Sequence, residues 1–557
     1  MPGKKSKKSK KGKKGQTPAN PNEPILSKKE LAAQKRKQAK ERKELIQTFV
    51  TAAVVGGIIG IALFFVKNEK LAIAGGGGII ALWMSYKYPF LALWVFIIYM
   101  PFAGTITYWI GGGNALFQLA KDGFAFPAMF AIWQNLKKQR KPFIIPKSLK
   151  TPLMVLMGIL AITFLGTNVV QQFSGTPGEQ PIAMGILGFK VFLGYLPLIT
   201  CTYYLIKDKK DFLWFTRLHV ILVLICCFLG LMQYMMLSSG ICKGTDHLTG
   251  DDLFKATLDA KCLVGGSLVF SPSQNMIRLP GTFVAPWQWA WFLIGNIFFT
   301  FASAFSDPSL LWQLISFLGM ALVFVNSVIS GQRIALLLVP TITIILLVLT
   351  GQLSKPQRFI PIVGGIGVLI VLGMILFPDV IQGRIESTIS RWQASPPTEF
   401  ITHQAEFTSK GQSGILGHGL GRATNSARMF GDTALIETYY PKLLYEIGPL
   451  GVLAFLGLVT SITVSSFKIW RSLKEKHFRS YAACFWVFIF FISYQTYYYP
   501  LDVDPVAVYY WMVVGAMLRL PELEEKEFER LAALEDLEDQ DPKKRKKKAR
   551  RKKVTAK

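Results

Sequence analysis

Long apolar stretches alternate with short polar stretches along most of the chain. Apolar runs of about 17–25 residues recur, the length that an α-helix needs to cross the hydrocarbon core of a bilayer. We predict an all-α, polytopic integral membrane bundle of about fourteen helices. The predicted spans are residues 45–66, 71–86, 88–106, 117–134, 151–168, 188–206, 213–236, 284–305, 310–329, 334–350, 359–377, 442–466, 480–497 and 505–519.

The polar stretches between the spans predict the orientation. With an even number of helices, the basic loops "NLKKQRKPFIIPKSLK", "KDKKD", "SKPQR" and "FKIWRSLKEKHFR" lie on the same side as the lysine-rich N-terminus. Basic loops stay in the cytoplasm, so both termini are expected there. The longer, lysine-poor loops then face the outside, and the large ones cover residues 237–283 and 378–441.

Composition agrees with a membrane protein and divides the chain into three parts. Of 557 residues, 51% are hydrophobic and only 17% are charged, which is unusual for a soluble protein of this size. The net charge of +29 is concentrated in the two tails. The predicted parts are a basic cytoplasmic tail at 1–44, a membrane domain at 45–519, and a tail at 520–557 that is first acidic and then basic.

The basic tails have two readings. Blocks of like charge are usually solvated, and here they would simply hold the topology. They also suit an anionic membrane surface or a nucleic acid. Because no nucleic-acid-binding fold accompanies them, we expect no nucleic-acid partner, and we expect membrane lipids around the bundle.

Known cofactor motifs are not recognisable in the sequence. The glycines of "AGGGGII" at 74–80 lack the Lys-Ser/Thr of a phosphate-binding loop, so they favour close helix packing. No zinc spacing or calcium loop stands out, and we expect neither cofactor nor metal. Cys242 and Cys262 share the outer loop 237–283, and their spacing leaves open whether they form a disulfide.

Several basic residues lie at the predicted outer ends of the spans. Charged groups at membrane depth are costly, so each is a candidate for function. Lys121, Lys190, Arg278 and Arg333 all lie there, and they suggest a cationic bowl that binds phosphate. The alternative for Lys121 is a local pair with Asp122 or a side chain that reaches toward water.

The outer loop 378–441 adds two further arginines and a glycine-rich turn. Arg384 and Arg391 are seven residues apart, which places them on one face of a short helix; a solvated helix face is the alternative. The turn is "GILGHGLG", whose glycines allow a tight bend. Beyond it lies Glu437, a candidate proton acceptor. Tyr439 is a candidate for stacking on a sugar, although tyrosine is also common at membrane interfaces.

Three segments resemble the O-antigen ligase and polymerase family of bacterial membrane enzymes. They are "IRLPGTFVAPWQWA", "SVISGQRIALLL" and "GILGHGLGRATNS…ALIETYYPKLLYEIGPLGVLAFLGL", within residues 270–465. The resemblance implies a GT-C-like bundle with a large outer loop. It also implies transfer of glycan from an undecaprenyl-diphosphate carrier to an acceptor glycan, at the outer face of the inner membrane. A flippase and a chain-length regulator become candidate partners.

The resemblance also assigns roles to residues. Arg278 and Arg333 would bind the diphosphate, and Arg384 and Arg391 would lie on a loop helix that closes over the donor. Ligases usually have His-Asn where this chain has Glu437-Thr438, which favours polymerisation over transfer to lipid A core. Glu437 is therefore the first candidate for the general base, His418 the second and His403 the third. On the premise that the outer loops contain no Asp-x-Asp sequence, we expect the arginines to take the place of a metal.

Two other classes of function stay open. One is a transporter for bicarbonate or another small anion, although transporters usually bind their ions at the midplane, between inverted repeats. No repeat is evident in this sequence, and the charges cluster at one side. The other is a non-catalytic scaffold that recruits partners through its charged tails.

Overall fold

A computed structural model describes most of the chain. It covers residues 28–66, 69–143, 146–174, 177–253, 257–271, 276–352, 396–412 and 414–540, with isolated positions between 364 and 393. The chain divides into two compact units, residues 1–80 and 81–557. Within the described part, nearly all regular structure is helical, which confirms the predicted all-α class.

The helices follow one another with connections that are short, except those that begin after residues 238, 349 and 410. In chain order they are α1 Lys28–Val66, α2 Glu69–Lys87, α3 Pro89–Tyr99, α4 Ala115–Gln118, α5 Asp122–Lys138, α6 Lys147–Thr163, α7 Val170–Ser174, α8 Pro181–Leu193, α9 Leu198–Leu205, α10 Lys209–Ser238, α11 Pro286–Ser306, α12 Leu310–Ile329, α13 Arg333–Leu349, α14 Pro397–Lys410, α15 Tyr439–Ser472, α16 Lys476–Tyr494 and α17 Val506–Gln540. A π-helical stretch, Phe164–Val169, joins α6 to α7. Two short antiparallel strands, β1 Val269–Ser271 and β2 Met276–Arg278, lie between α10 and α11.

Many of these helices have the length and composition of membrane spans. In the described part of the chain, 8 helical segments are long and apolar enough to cross a bilayer. They are Lys35–Val66, Ser148–Ser174, Pro181–Leu205, Lys209–Ser238, Pro286–Ser306, Leu310–Ile329, Tyr439–Ser472 and Val506–Ala533. The protein is therefore a helical membrane protein. The predicted span at 359–377 falls almost wholly outside the described residues, and the total of about fourteen stays a prediction.

In the first unit, α1 packs against the start of α2 through glycines. A Cβ atom on Gly76 would lie 2.6 Å from the carbonyl oxygen of Gly56, and the reverse distance is also 2.6 Å. Only glycine permits such a close approach of two helices. This contact gives Gly76 of "AGGGGII" a role in helix packing, whereas a Cβ atom on Gly77 or Gly78 would meet nothing within 4 Å.

In the second unit, α11 and α17 form the centre. The segments Pro286–Ser306 and Val506–Ala533 are buried along most of their length. Around them, α10, α12, α13 and α16 pack on α11, while α9, α15 and α16 pack on α17. The charged residues after 520 do not begin a separate element, because α17 continues unbroken to Gln540.

Contacts between distant segments mark two ends of this unit. One end, here called the lysine end, is marked by two sets of ion pairs. Lys209 pairs with Glu475 and Glu527. Arg217 makes a bidentate pair with Asp307, with both hydrogen bonds at 2.8 Å. The other end, here called the disulfide end, comprises the connections 239–285, 411–438 and 495–505. All the candidate site residues that the structure describes lie on segments at or next to this end.

Candidate functional site

A disulfide and a hairpin hold the segment that carries Arg278. Cys242 and Cys262 form a disulfide, so the question left open by their spacing is settled. The side-chain amide of Gln233 donates hydrogen bonds to the carbonyls of Cys262 and Gly281, at 3.1 and 3.2 Å. Arg278 ends β2, where it pairs with Val269 of β1. The strand is thus held by its pairing with β1, and Gln233 of α10 ties the segment after it to the cross-linked loop.

The segments carrying Arg278 and Arg333 are in direct contact. The backbone N–H of Leu279 donates to the carbonyl of Ser330 at 3.0 Å. Gly331 follows with φ of 73°, a left-handed conformation that glycine adopts readily, and Arg333 then begins α13. The tertiary fold therefore brings together two motifs that lie more than fifty residues apart in the sequence.

The guanidinium group of Arg278 has unused hydrogen-bonding capacity. The side chain is half-buried, and its Nε atom is buried without a hydrogen-bond partner among the described residues. Burial lowers the pKa of Arg278, while Tyr498 and Glu437 act in the opposite direction. A buried donor without a partner is costly, so this position favours an anionic ligand that accepts from it.

Glu437 lies close enough to Arg278 to influence it electrostatically, and its backbone is held from two sides. Its N–H donates to the side-chain oxygen of Gln404 on α14 at 3.0 Å, and its carbonyl accepts from the N–H of Tyr498 at 3.0 Å. The side chain itself is half-buried. A half-buried carboxylate at the edge of the bundle, within electrostatic range of Arg278, is a candidate proton acceptor.

The connection 495–505 contributes two tyrosines that sequence reasoning missed. Tyr498 and Tyr499 have φ of 59° and 31°, a left-handed backbone that is strained for such side chains. The Tyr498 carbonyl accepts from the indole N–H of Trp291 at 3.2 Å, and the Tyr499 hydroxyl accepts from Asn425 at 3.2 Å. Burial, and then the charge of Glu437, raise the pKa of Tyr499. The signal in the sequence was the run "TYYYP" between two spans.

The glycine-rich turn is a packing device. The N–H groups of His418 and Gly419 donate to the carbonyls of Tyr445 and Glu446, at 2.8 and 3.1 Å. Asn168, in the π-helical stretch, exchanges two hydrogen bonds of 2.9 Å with the backbone of Leu420. A Cβ atom on Gly421 would lie 2.1 Å from a carbonyl oxygen of α8. The glycines let the turn lie against α8 and α15 without side chains in between.

His418 and Glu446 belong to this turn. The His418 ring stacks on Tyr445 with centroids 4.1 Å apart, and its Nε2 lies 2.5 Å from the Gly411 carbonyl. Within the described residues, no hydrogen bond or ring contact joins His418 to Glu437 or Arg278. Glu446 is buried, and its Oε1 accepts from the Ala423 N–H at 2.8 Å and from the Thr424 hydroxyl at 2.9 Å. Glu446 therefore holds the turn onto α15.

The two lysines of the predicted bowl are engaged with carboxylates. Lys121 pairs with Asp504, and Lys190 pairs with Asp122 at 2.9 Å. The Tyr195 hydroxyl also donates to Asp122, at 2.6 Å. Lys121 therefore takes its partner from a distant loop, rather than forming only the local pair considered from the sequence. Both ammonium groups are neutralised internally, which leaves the arginines as the better phosphate ligands.

The partners of these lysines reveal a motif that sequence reasoning overlooked. Asp502 and Asp504 form an Asp-x-Asp sequence in the connection 495–505, so the premise that the outer loops contain no such sequence was wrong. In the structure, Asp502 pairs with Lys442 and Asp504 with Lys121. No group of three or more His, Cys, Asp or Glu among the described residues is placed to hold a metal ion.

Of the four remaining candidate residues named from the sequence, the structure describes two. Tyr439 is fully buried, and its ring packs against Tyr440 and Phe455, so in this structure a sugar cannot stack on it. His403 is exposed on α14. Arg384 and Arg391 lie outside the described residues.

The comparisons with known proteins add no family. No model of a known protein family matches the chain, and no curated protein sequence matches it either.

Proposed function

We propose that this protein is a metal-independent membrane glycosyltransferase. It transfers or polymerises glycan from an undecaprenyl-diphosphate donor onto an acceptor glycan, at the outer face of the bacterial inner membrane, in the synthesis of cell-surface or exported polysaccharide. The disulfide end faces outward, both termini are cytoplasmic, and the bundle has about fourteen spans. Two features support this orientation: a disulfide persists in an oxidising compartment, and the described basic residues Lys209 and Arg217 lie at the opposite end.

The observation that carries the proposal is the position of Arg278. Its half-buried guanidinium group has a donor without a partner, lies near Glu437, and adjoins the segment that leads into Arg333. Arginine's planar group binds phosphate oxygens through paired hydrogen bonds. A donor diphosphate at this position would have its glycosidic bond beside a carboxylate.

The chemistry requires one nucleophilic displacement. The acceptor hydroxyl forms a bond to the anomeric carbon while the bond from that carbon to the diphosphate oxygen breaks, and the lipid diphosphate leaves with the electron pair. Glu437 takes the proton of the attacking hydroxyl. Arg278 and Arg333 stabilise the negative charge that grows on the leaving diphosphate.

The test is synthesis from an authentic donor. We expect the purified protein in nanodiscs, supplied with undecaprenyl-diphosphate-linked oligosaccharide, to make longer glycan and to release lipid diphosphate. Arg278→Ala should lower the rate by about 100-fold or more, as loss of a transition-state donor does. Glu437→Gln should lower it by about 10²–10⁴-fold. Lys243→Ala, which removes an exposed cation from the same outer loop, is the matched control and should leave the rate unchanged.

Two outcomes would overturn the proposal. The first is normal activity of well-folded Arg278→Ala. The second is that the wild type makes no product from several authentic donors.

A small-anion transporter is the second candidate, favoured by the ion pairs that Lys121 and Lys190 make at the ends of helices. Such pairs at membrane depth are frequent in transport pathways. Bicarbonate uptake into proteoliposomes, lost in Lys190→Ala and retained in Arg278→Ala, would support transport over glycan transfer.

A further inference from the structure

A further cation adjoins the candidate site, on the 3₁₀ helix Asn425–Phe430. Side chains three residues apart lie on the same face of such a helix, so those of Asn425 and Arg428 project together. The Asn425 amide donates to the Tyr499 hydroxyl at 3.2 Å, and Arg428 acts electrostatically on the same tyrosine. The side chains of Asn425, Arg428 and Tyr499, here called the Tyr499 cluster, therefore lie together.

Arg428 has hydrogen-bonding capacity left for a ligand. Its Nε atom donates to the Thr433 hydroxyl at 3.2 Å, which orients the planar group. The side chain is exposed and pairs with no carboxylate of a described residue. Arg422, in the same loop, is instead paired with Glu179 at 2.9 Å. The terminal nitrogens of Arg428 are thus free to bind the two oxygens of a carboxylate.

Tyr499 offers a ring and a hydroxyl group to the same ligand. The ring packs against the hydrophobic core but remains partly exposed. Because the hydroxyl oxygen accepts from Asn425, its proton is left to donate, and no described residue accepts it. The backbone has φ of 31°, a strained value for tyrosine of the kind that is often retained at functional sites. The cluster therefore combines an apolar ring with amide, hydroxyl and guanidinium groups, which suits a sugar that carries a carboxylate.

Glu437 is the neighbour that the Tyr499 cluster shares with Arg278. The groups that act electrostatically on Arg278 are Tyr498 and Glu437, whereas those that act on Tyr499 are Glu437 and Arg428. The Tyr498 N–H also donates to the Glu437 carbonyl at 3.0 Å, which holds the two tyrosines beside this residue. In a direct displacement the attacking hydroxyl and its base lie on the face of the sugar opposite the leaving group. If Arg278 binds the leaving diphosphate, the Tyr499 cluster is where the attacking glycan would lie.

We propose that the Tyr499 cluster is the acceptor subsite and that the acceptor glycan carries a carboxylate, as a uronic acid does. Arg428 binds the carboxylate, the Tyr499 ring stacks on the sugar, and the polar groups of Asn425 and Tyr499 hydrogen-bond its hydroxyls. The attacking hydroxyl then lies at Glu437. The assignment to the acceptor rests on the proposed function, whereas the binding of acidic glycan can be measured without it.

The first experiment measures binding to the full chain in phosphatidylcholine nanodiscs, without donor. The probes are fluorescently labelled hexasaccharides of galacturonate and of hyaluronan, each also prepared with its carboxyl groups reduced to alcohols. We expect at least one acidic probe to bind about fivefold more tightly than its reduced form, the upper range for one exposed ion pair. Arg428→Gln should remove this preference, and Arg428→Lys should keep part of it. Lys243→Gln, which removes another exposed cation at the disulfide end, is the control and should keep all of it.

Two further measurements separate the cluster from general charge. Tyr499→Leu removes the ring and should weaken binding of the acidic and reduced probes alike, by about tenfold; Tyr499→Phe, which loses only the hydroxyl, should weaken both by less and serves if the first variant does not fold. In glycan synthesis, Arg428→Gln should raise the KM for an acidic acceptor about fivefold and leave kcat and the KM for the donor unchanged.

The outcomes distinguish this inference from the proposed function. Equal binding of acidic and reduced probes by the wild type, an undiminished preference in Arg428→Gln, or an equal loss in Lys243→Gln would overturn the acidic acceptor subsite. Glycan synthesis that uses acidic and reduced acceptors equally well would overturn this inference alone. Preferential binding of acidic glycan, with no product from any authentic donor, would support the binding site and overturn the proposed function.

Discussion

Glu446 offers a sharp test of whether a conspicuous carboxylate is catalytic or structural. It lies in the "EIGPLG" sequence that resembles a family motif, yet its Oε1 accepts two hydrogen bonds from the turn, at 2.8 Å from the Ala423 N–H and 2.9 Å from the Thr424 hydroxyl. Its side chain is 2% exposed. We expect its role to be positioning of the residue 411–424 turn.

The expected magnitude follows from these two contacts. Hydrogen bonds to a charged group contribute about 1.5–3 kcal/mol each, so Glu446→Ala should destabilise the docked turn by about 3–6 kcal/mol. That corresponds to a loss of protection from amide exchange by a factor of about 10²–10⁴, as long as the turn opens locally. Glu446→Gln keeps an acceptor oxygen at the same place and loses only the charge, so we expect about half of that effect.

The assay is amide hydrogen exchange in nanodiscs, together with glycan synthesis. Glu446→Ala should speed exchange in residues 411–424 much more than Glu446→Gln, and the peptides of α10 should not change. Glu446→Gln should keep most of the activity. If Glu446→Gln exchanges as slowly as the wild type but is inactive, the reasoning fails, because a purely catalytic carboxylate behaves in that way.

Three further predictions concern the disulfide end. Replacing Cys242 and Cys262 together by serine should lower the free energy of unfolding by about 2–4 kcal/mol, measured by thermal unfolding. The same variant should speed amide hydrogen exchange in residues 269–285. Unchanged exchange there would contradict the idea that the disulfide holds the segment of Arg278 in place. Gly421→Ala should lower the melting temperature far more than Gly414→Ala. Both glycines have positive φ, but only at Gly421 would the added Cβ atom lie 2.1 Å from a backbone oxygen. Equal shifts in melting temperature would show that backbone strain alone matters. Tyr439→Phe should leave the free energy of unfolding unchanged or slightly raise it, and should keep full activity. The reason is that the buried Tyr439 hydroxyl has no hydrogen-bond partner among the described residues. Loss of glycan synthesis in this variant would restore a substrate-binding role for Tyr439.

The amino-acid sequence alone determined the class of the protein. A helix that crosses a bilayer must satisfy its own backbone hydrogen bonds over about twenty apolar residues, so segments such as Lys209–Ser238 are evident from composition. The same local logic predicted close helix packing at the glycines of residues 75–78, and Gly76 packs against α1. It also identified the arginine-bearing segments, since charge near a span is conspicuous against a hydrophobic background.

Only the tertiary structure decided which polar groups meet. Lys121 pairs with Asp504, which lies 383 positions away, and Glu446 holds the backbone turn at Ala423 and Thr424. Tyr439 looked like an interfacial residue but packs in the core. Hydropathy along a chain reports how deep a residue lies in the membrane, but not its rotation about the helix axis or its neighbours on other helices. Those depend on how the helices pack, which long-range contacts determine.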